Sequence, residues 1–267
     1  MLAIFLKVLK DRKYILLAYL IAAVGFLWMY VGMFPGIKEQ SATMMKLLES
    51  YPQTMLKAFN IESLDFTHLE NFVAMEQFSF VWPLLLIFLL VSLAGAAIAN
   101  EVEKGTIEIL LSQPISRLKI FFGKYLAGIF SLIVFTIISI FAVAPIAAIY
   151  HIDYQFANFA TIAILGFIFG LAIFSLSVLF SAIFSDKGKV YFLTGGLLVL
   201  MYVLNIVASL KESLTDLKYL SFFYYFNSSK TLVHNEIDQW AYVVFLGVAV
   251  VTTFLAILIF KKRDVAV

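Results

Sequence analysis

One polar stretch, together with the apolar runs on either side of it, decides the fold. Residues 100–124 read NEVEKGTIEILLSQPISRLKIFFGK and hold seven charged side chains. Residues 77–100 and residues 125–152 contain no Asp, Glu, Lys or Arg. A predominantly apolar run of about 20 residues is long enough to cross a bilayer as an α-helix. The polar stretch is therefore predicted to connect two membrane-spanning helices.

The composition extends this interpretation to the whole chain. Of the 267 residues, 63% are hydrophobic and 13% are charged, whereas soluble domains are about 45–50% apolar and about 25% charged. Unpaired backbone groups are costly in lipid, so each charge-free run is predicted to be helical. We expect an all-α integral membrane protein with six transmembrane helices and one transmembrane domain. The predicted spans are residues 14–37, 77–100, 125–152, 154–185, 190–210 and 239–260.

The positive charges predict how the chain is inserted. An even number of spans places both termini on the same side as residues 101–124 and 186–189. That side carries thirteen Lys and Arg residues, whereas the opposite side carries six. Lys and Arg accumulate in short cytoplasmic segments. The N and C termini and residues 101–124 are therefore predicted to be cytosolic, and loops 38–76 and 211–238 to be external.

The first thirteen residues have two interpretations. Leu2, Phe5, Leu6 and Leu9 fall on one helical face, which is typical of an amphipathic helix lying in the membrane interface. The alternative is a charged flank of the first span. We expect the interfacial helix over residues 1–13. A signal peptide is not expected, because the apolar run that follows is too long and no small-residue cleavage site ends it.

The two loops predicted to be external differ in composition. Residues 38–76 have a helical pattern interrupted at Pro52, so two short helices are expected there. Residues 211–238 are rich in aromatic side chains, which favour membrane interfaces. They form either an interfacial belt or a helix that dips into the outer leaflet before the last span.

The sequence predicts no catalytic, metal or cofactor site in this chain. Its charge-free runs hold no carboxylate or amine for a proton relay or intramembrane catalysis. Neither an HExxH motif nor a phosphate-binding GxxxxGK[ST] motif is present, and without cysteine there is no thiolate chemistry. His151 and Asp153 could bind a metal, although a polar turn between two spans explains them more simply. A net charge of +2 does not indicate a nucleic-acid partner.

Within residues 100–124 the sequence predicts a bend, a short helix and a break. Gly105 supplies a flexible corner. A helix with one apolar face is expected from about residue 106 to residue 112. Pro114 disfavours helix at the residue before it and suits a new helix start, which leads into the third span. The element is either a connector resting on lipid headgroups or a knob for a soluble partner, and its mixed charge favours the partner.

The pattern NEVEKGTIEILLSQPISRLKIFFGKYLAG resembles the signature of ABC-2 type transporter permeases. Members carry an acidic residue, Gly-Thr, a Leu-rich short helix, then Pro and a basic residue before the third span. YPQTMLKAFNI and LSFFYYFNSSKTL are weaker similarities elsewhere in the chain. The resemblance implies that the short cytosolic helix is a coupling helix in the groove of an ATPase. Its implied contact residues are Glu101, Glu103, Lys104, Gly105, Thr106, Glu108, Leu111, Pro114 and Arg117.

The same resemblance implies the partners and the activity. Such permeases lie in the cytoplasmic membrane, pair as dimers (here we expect a homodimer) and dock on two copies of a separate ABC ATPase. That subunit holds ATP and Mg, so no cofactor is expected on this chain. The expected cargo is hydrophobic or amphipathic, a toxin or antimicrobial peptide, moved outward. Export of drugs or lipids, an immunity or resistance permease, a membrane scaffold and an intramembrane enzyme remain as alternatives.

Overall fold

The computed structural model describes residues 1–49, 51 and 65–263, and nearly all of these described residues are helical. Six of the helices are long and apolar enough to cross a membrane. In chain order the elements are α1 (Leu2–Glu39), α2 (Ser41–Glu49), α3 (Leu69–Ala97), α4 (Ala99–Glu103), α5 (Thr106–Leu111), α6 (Arg117–Ile149), α7 (Phe156–Ile183), α8 (Lys187–Leu210), a 3-10 helix (Glu212–Leu220), α9 (Phe222–Tyr225), α10 (Ser228–His234) and α11 (Gln239–Lys262).

The six candidate spans are α1, α3, α6, α7, α8 and α11, which confirms the predicted all-α membrane fold. Several helices extend beyond the charge-free runs. α3 begins at Leu69 and therefore includes Glu70, which is only 5% exposed. Its carboxylate accepts a hydrogen bond from the backbone N–H of Gln155. A carboxylate with such a partner can be buried at a helix end, so charge counting places the start of this helix too late.

The first helix differs from the prediction. α1 runs without a break from Leu2 to Glu39, so residues 1–13 are not a separate interfacial helix. Their predicted apolar stripe is divided: the ring of Phe5 packs edge-on against Phe130 of α6, whereas Leu2 and Leu6 are exposed. The alternative interpretation, a charged flank of the first span, agrees with this helix.

The core lies around α3 and α7. In α7, 67% of the most apolar window is buried, compared with 22% in α1 and in α8. Close approach to α7 depends on small residues: a Cβ at Gly166 would lie 2.5 Å from the ring of Trp82, and one at Gly170 would lie 2.6 Å from Leu132. Trp82 is fully buried, and its indole N–H donates to the Ser139 hydroxyl at 2.8 Å.

The segment before the last span packs into the bundle. Phe226 stacks on Trp82 of α3 with ring centroids 6.2 Å apart and contacts Phe169 of α7 at 4.5 Å. Ser228 at the start of α10 donates to the carbonyl oxygen of Ala74. This packing agrees with a helix before the last span, and its dip into the outer leaflet stays a prediction. In the other long loop, α2 is one short helix, and the second predicted helix after Pro52 lies outside the described residues.

The two ends of the bundle carry different elements. One end, termed the termini face, holds Met1, the segment with α4 and α5, and Arg263 at the end of α11. Met1 and Gly123 are neighbours there, since a Cβ on Gly123 would lie 3.1 Å from the Met1 carbonyl oxygen. The other end holds α2 and the segment from the 3-10 helix to α10. The polar stretch that decides the fold therefore lies at the same end of the bundle as Met1 and Arg263.

Candidate functional site

The polar stretch on the termini face has the predicted bend, helix and break. Gly105 has φ +68° and ψ 2°, a left-handed conformation that suits glycine. α5 follows directly and ends at Leu111. After Pro114 the chain starts α6, where the Ser116 hydroxyl accepts a hydrogen bond from the Lys119 N–H at 3.4 Å as an N-cap. Local turn chemistry therefore accounts for the shape of this element.

One face of α5 is anchored in the bundle and the other is exposed. Ile107 is 1% exposed and belongs to the main hydrophobic core, with Leu110 packed against it. Ile109 is 65% exposed, and Glu108 is exposed beside it. The side chain of Leu111 lies outside the described part of the structure. We term the following exposed residues the outer face of α5: Lys104, Glu108, Ile109, Ser112, Gln113 and Pro114.

A buried ion pair joins α4 to α6. The Lys124 ammonium lies 2.7 Å from the Glu101 carboxylate, and Lys124 is only 6% exposed. The Thr106 hydroxyl at the start of α5 donates to the same carboxylate. Burial alone would raise the pKa of Glu101, but the Lys124 charge and the hydrogen bonds from Lys124 and Thr106 outweigh it and hold that pKa below its usual value. Glu101 is therefore ionised at neutral pH and fixes the base of α5 to α6.

A second contact joins α4 to the fifth span. The Glu103 carboxylate accepts a hydrogen bond at 3.1 Å from the backbone N–H of Lys187, the first residue of α8. Asp186 caps the same helix by accepting from the Gly188 N–H at 2.6 Å. Carboxylates are stabilised at a helix N-terminus by the unpaired N–H groups and by the helix dipole. Glu103 therefore ties α4 to the start of α8.

A third contact joins the start of α6 to the last span. The Arg117 guanidinium donates to the carbonyl oxygens of Phe260 and Lys261, each at 3.3 Å, and of Arg263 at 2.5 Å. These oxygens lie at the C-terminal end of α11, where carbonyl groups lack partners within the helix. A cation there also interacts favourably with the helix dipole.

Arg263 extends this contact to the fourth span. Its guanidinium donates to the carbonyl oxygens of Ala182 at 2.7 Å and Phe184 at 3.2 Å, and to the Ser185 hydroxyl at 2.6 Å. These groups lie at the end of α7. Burial lowers the pKa of Arg263, but arginine remains charged at any physiological pH. Two arginines therefore connect α6, α11 and α7 in series.

Comparison with known proteins shows the family to which a chain of this architecture belongs. The family model described as "ABC-2 family transporter protein" matches residues 5–265. The chain belongs to this family. It is therefore an ABC-2 permease, the multi-pass membrane component of an ABC transporter in the cell membrane, and the family associates with an ABC ATPase. No curated protein matches the chain.

The predicted ATPase-contact residues of the permease fall into two groups by their position in the structure. Lys104, Glu108 and Pro114 belong to the outer face of α5, where a partner could reach them. Among the other residues, Gly105 forms the bend, and those whose side chains the structure describes have hydrogen-bond or ion-pair partners within the chain. Those with internal partners are Glu101, Glu103, Thr106 and Arg117.

Sequence reasoning missed Ile109 on the outer face of the permease. Its position two residues after Ile107 already indicates the opposite helical face, since residues three and four apart share one. The reasoning also missed Arg263 and Lys187. No local signal marks these two, because each meets its partner across a large separation in sequence.

The polar residues at the opposite end of the permease line a separate cavity of about 460 Å³, among them His68, Glu70, His151 and Asp153. His151 has φ +53°, which places its side chain at a tight turn after α6. Within residues 1–49, 51 and 65–263, no three His, Asp or Glu side chains lie close enough to hold a metal ion. The polar turn at His151 and Asp153 stays a prediction.

Proposed function

We propose that this permease is the transmembrane subunit of an exporter that moves a hydrophobic or amphipathic compound, in the first instance a toxin or antimicrobial peptide, outward across the cytoplasmic membrane. ATP and Mg²⁺ are held by two copies of a separate ABC ATPase, whose hydrolysis drives the movement. The termini face is cytosolic. The excess of Lys and Arg in its segments, thirteen against six, supports this orientation.

The observation that carries the proposal is the construction of α5. Its outer face presents Glu108 and exposed Ile109, while Ile107 holds the helix in the core. At its base, Glu103 binds the start of α8 and Arg117 binds the end of α11. An ATPase that binds the outer face can therefore move several spans at once, because polar contacts connect α5 to the ends of these spans.

An apolar cavity supports the lipophilic cargo. It has a volume of about 240 Å³ and lies between α3 and α8. All its lining residues are uncharged, and most are aliphatic or aromatic, including Phe80, Phe88, Leu198 and Tyr202. Ligand sites for apolar molecules are lined in this way, with few polar groups. A small ion would find no charged side chain among these lining residues.

A homodimer is part of the proposal. α1, α8 and α11 each bury less than a third of their most apolar window in the single chain. Large apolar surfaces on spans are covered either by lipid or by another subunit. A second copy of the permease, beside two ATPase copies, would cover part of this surface and complete the transporter.

The test is to purify the permease with the ABC ATPase that accompanies it, reconstitute both in vesicles, and measure ATP hydrolysis and peptide transport. Glu108→Lys and Ile109→Asp should each lower co-purification of the ATPase and cargo-stimulated hydrolysis. Glu39→Lys makes the same charge change at the exposed end of α1 on the opposite face, and should leave both unchanged. Normal ATPase binding and stimulation in both α5 variants would refute the role of α5, and ATPase binding without any transport would favour the scaffold.

A further inference from the structure

The termini face contains a cavity lined by polar residues, which we term its mouth, and by apolar residues, which we term its floor. It has a volume of about 320 Å³ and opens between α1, α3 and α6. Its mouth is lined by Arg12, Glu101, Lys104 and Lys124 among other polar residues. Its floor is made of apolar side chains, which include Leu93, Ala96, Ala97 and Phe174. A ligand that fills it must therefore combine a charged group with an apolar part.

The charges of the mouth favour an anion. Arg12, Lys104 and Lys124 line it, opposed by Asp11 and Glu101. Lys124 and Glu101 neutralise each other in their 2.7 Å ion pair. Among the described residues neither Arg12 nor Lys104 forms a salt bridge, so both cations remain available to a ligand. These two cations outnumber Asp11, the one lining carboxylate left after that pairing, so an anionic ligand is favoured over a cationic or a purely apolar one.

We propose that this cavity binds the phosphate headgroup of an anionic phospholipid. Arg12 and Lys104 donate to the phosphate oxygens, and the first carbons of the lipid lie on the apolar floor. Arginine suits phosphate because its planar guanidinium donates two parallel hydrogen bonds. The volume is at the small end of ligand sites, so the rest of each acyl chain stays in the surrounding bilayer. Placing the site in the cytosolic leaflet rests on the proposed function.

Such a lipid would connect α1 to the segment that carries α5. Arg12 belongs to α1, whereas Lys104 directly precedes the Gly105 bend, and Thr106 also lines the cavity. A phosphate held by both cations bridges these two elements. The bound lipid would therefore restrain the base of α5 relative to the first span and make coupling to the ATPase depend on lipid composition.

The experiment is native mass spectrometry of the purified full-length permease, with phosphatidylglycerol and phosphatidylcholine of identical acyl chains offered in competition. The wild type should retain phosphatidylglycerol preferentially. Arg12→Gln and Lys104→Gln should each reduce this preference about tenfold, since each removes a charged hydrogen-bond donor to the phosphate. Lys10→Gln removes an equal charge from an exposed position on α1 outside the cavity and should leave the preference unchanged.

Two further variants separate loss of the site from loss of the fold. Arg12→Lys keeps the charge and should restore most of the preference. Ala97→Phe fills the floor without changing any charge and should reduce lipid retention. Thermal unfolding of every variant, compared with wild type, shows whether the bundle is intact. Loss of lipid in an intact Arg12→Gln variant supports the site.

Three results would overturn the proposal: equal retention of both lipids by the wild type, equal loss in Lys10→Gln and Arg12→Gln, or release of the lipid by millimolar inorganic phosphate whatever its chain length. The last result would assign the site to a soluble phosphate compound. The measurement needs neither ATPase nor cargo. Normal ATPase stimulation without lipid preference would therefore refute this inference alone, and lipid preference without stimulation would refute only the exporter.

Discussion

The guanidinium of Arg117 lies 2.5 Å from the carbonyl oxygen of Arg263, whose own guanidinium caps the end of α7. Three spans of the permease are thereby joined in series on the termini face by charged hydrogen bonds. Such bonds are short and about twice as strong as neutral ones. Displacement of the segment that carries α5 would therefore also move the ends of α11 and α7, which lie far from it in sequence.

We expect Arg117→Ala to uncouple hydrolysis from transport. The variant leaves carbonyl oxygens at the end of α11 without a donor and should cost about 1–3 kcal/mol of stability. ATPase binding should persist, because the outer face of α5 is unchanged, while transport per ATP hydrolysed falls. Parallel assays of hydrolysis and peptide uptake in vesicles measure this ratio. Lys119→Ala, an exposed change in the first turn of the same helix, is the control and should keep the ratio.

The ion pair between Glu101 and Lys124 should be a major contributor to stability. Glu101→Leu leaves the Lys124 ammonium buried without a partner, and such losses cost about 3–5 kcal/mol. The double variant Glu101→Leu with Lys124→Met should recover most of this loss, because it replaces both charges by apolar groups. Denaturant unfolding in detergent micelles tests both. A double variant less stable than Glu101→Leu would contradict this account.

The same carboxylate predicts a pH dependence. The pKa of Glu101 lies below its usual value of 4.5, because Lys124 and two hydrogen bonds outweigh its burial. A carboxylate with a lowered pKa stabilises the folded state above its unfolded pKa and loses that contribution as the pH falls through the folded pKa. The stability difference between wild type and Glu101→Gln should therefore be constant near neutral pH and shrink below about pH 4. A difference that does not change with pH would refute the ion pair.

The Gly105 bend predicts opposite outcomes for two glycine substitutions. Gly105→Ala places a Cβ on a residue with φ +68°, which costs about 1–2 kcal/mol although no neighbouring atom lies within 4 Å. Gly196→Ala within α8 meets no neighbour either, and an alanine there should add about 0.5–1 kcal/mol of stability. Thermal unfolding separates the two. Equal effects at both positions would show that the backbone angle is not the cause.

Much of the shape of residues 100–124 follows from local sequence. Gly105 allows the left-handed turn and Pro114 ends the short helix, so the bend, the helix and the break are visible without a structure. Burial of Ile107 also follows from helical spacing. The internal roles of Glu101 and Arg117 do not, since the resemblance to a family signature implies that both contact an ATPase. Their hydrogen bonds join them to other parts of the same chain, which only the tertiary structure shows, and their contact with an ATPase stays a prediction.

The sequence alone predicted the six spans, because a charge-free apolar run of about 20 residues is long enough to cross the bilayer as a helix. The tertiary structure decided what lies at the ends of these spans. It continues α1 through residues 1–13, buries Glu70 inside α3 and brings Phe226 onto Trp82. Hydrophobic length specifies which segments enter the membrane, whereas the partners of helix ends depend on side chains that meet only after the spans have packed.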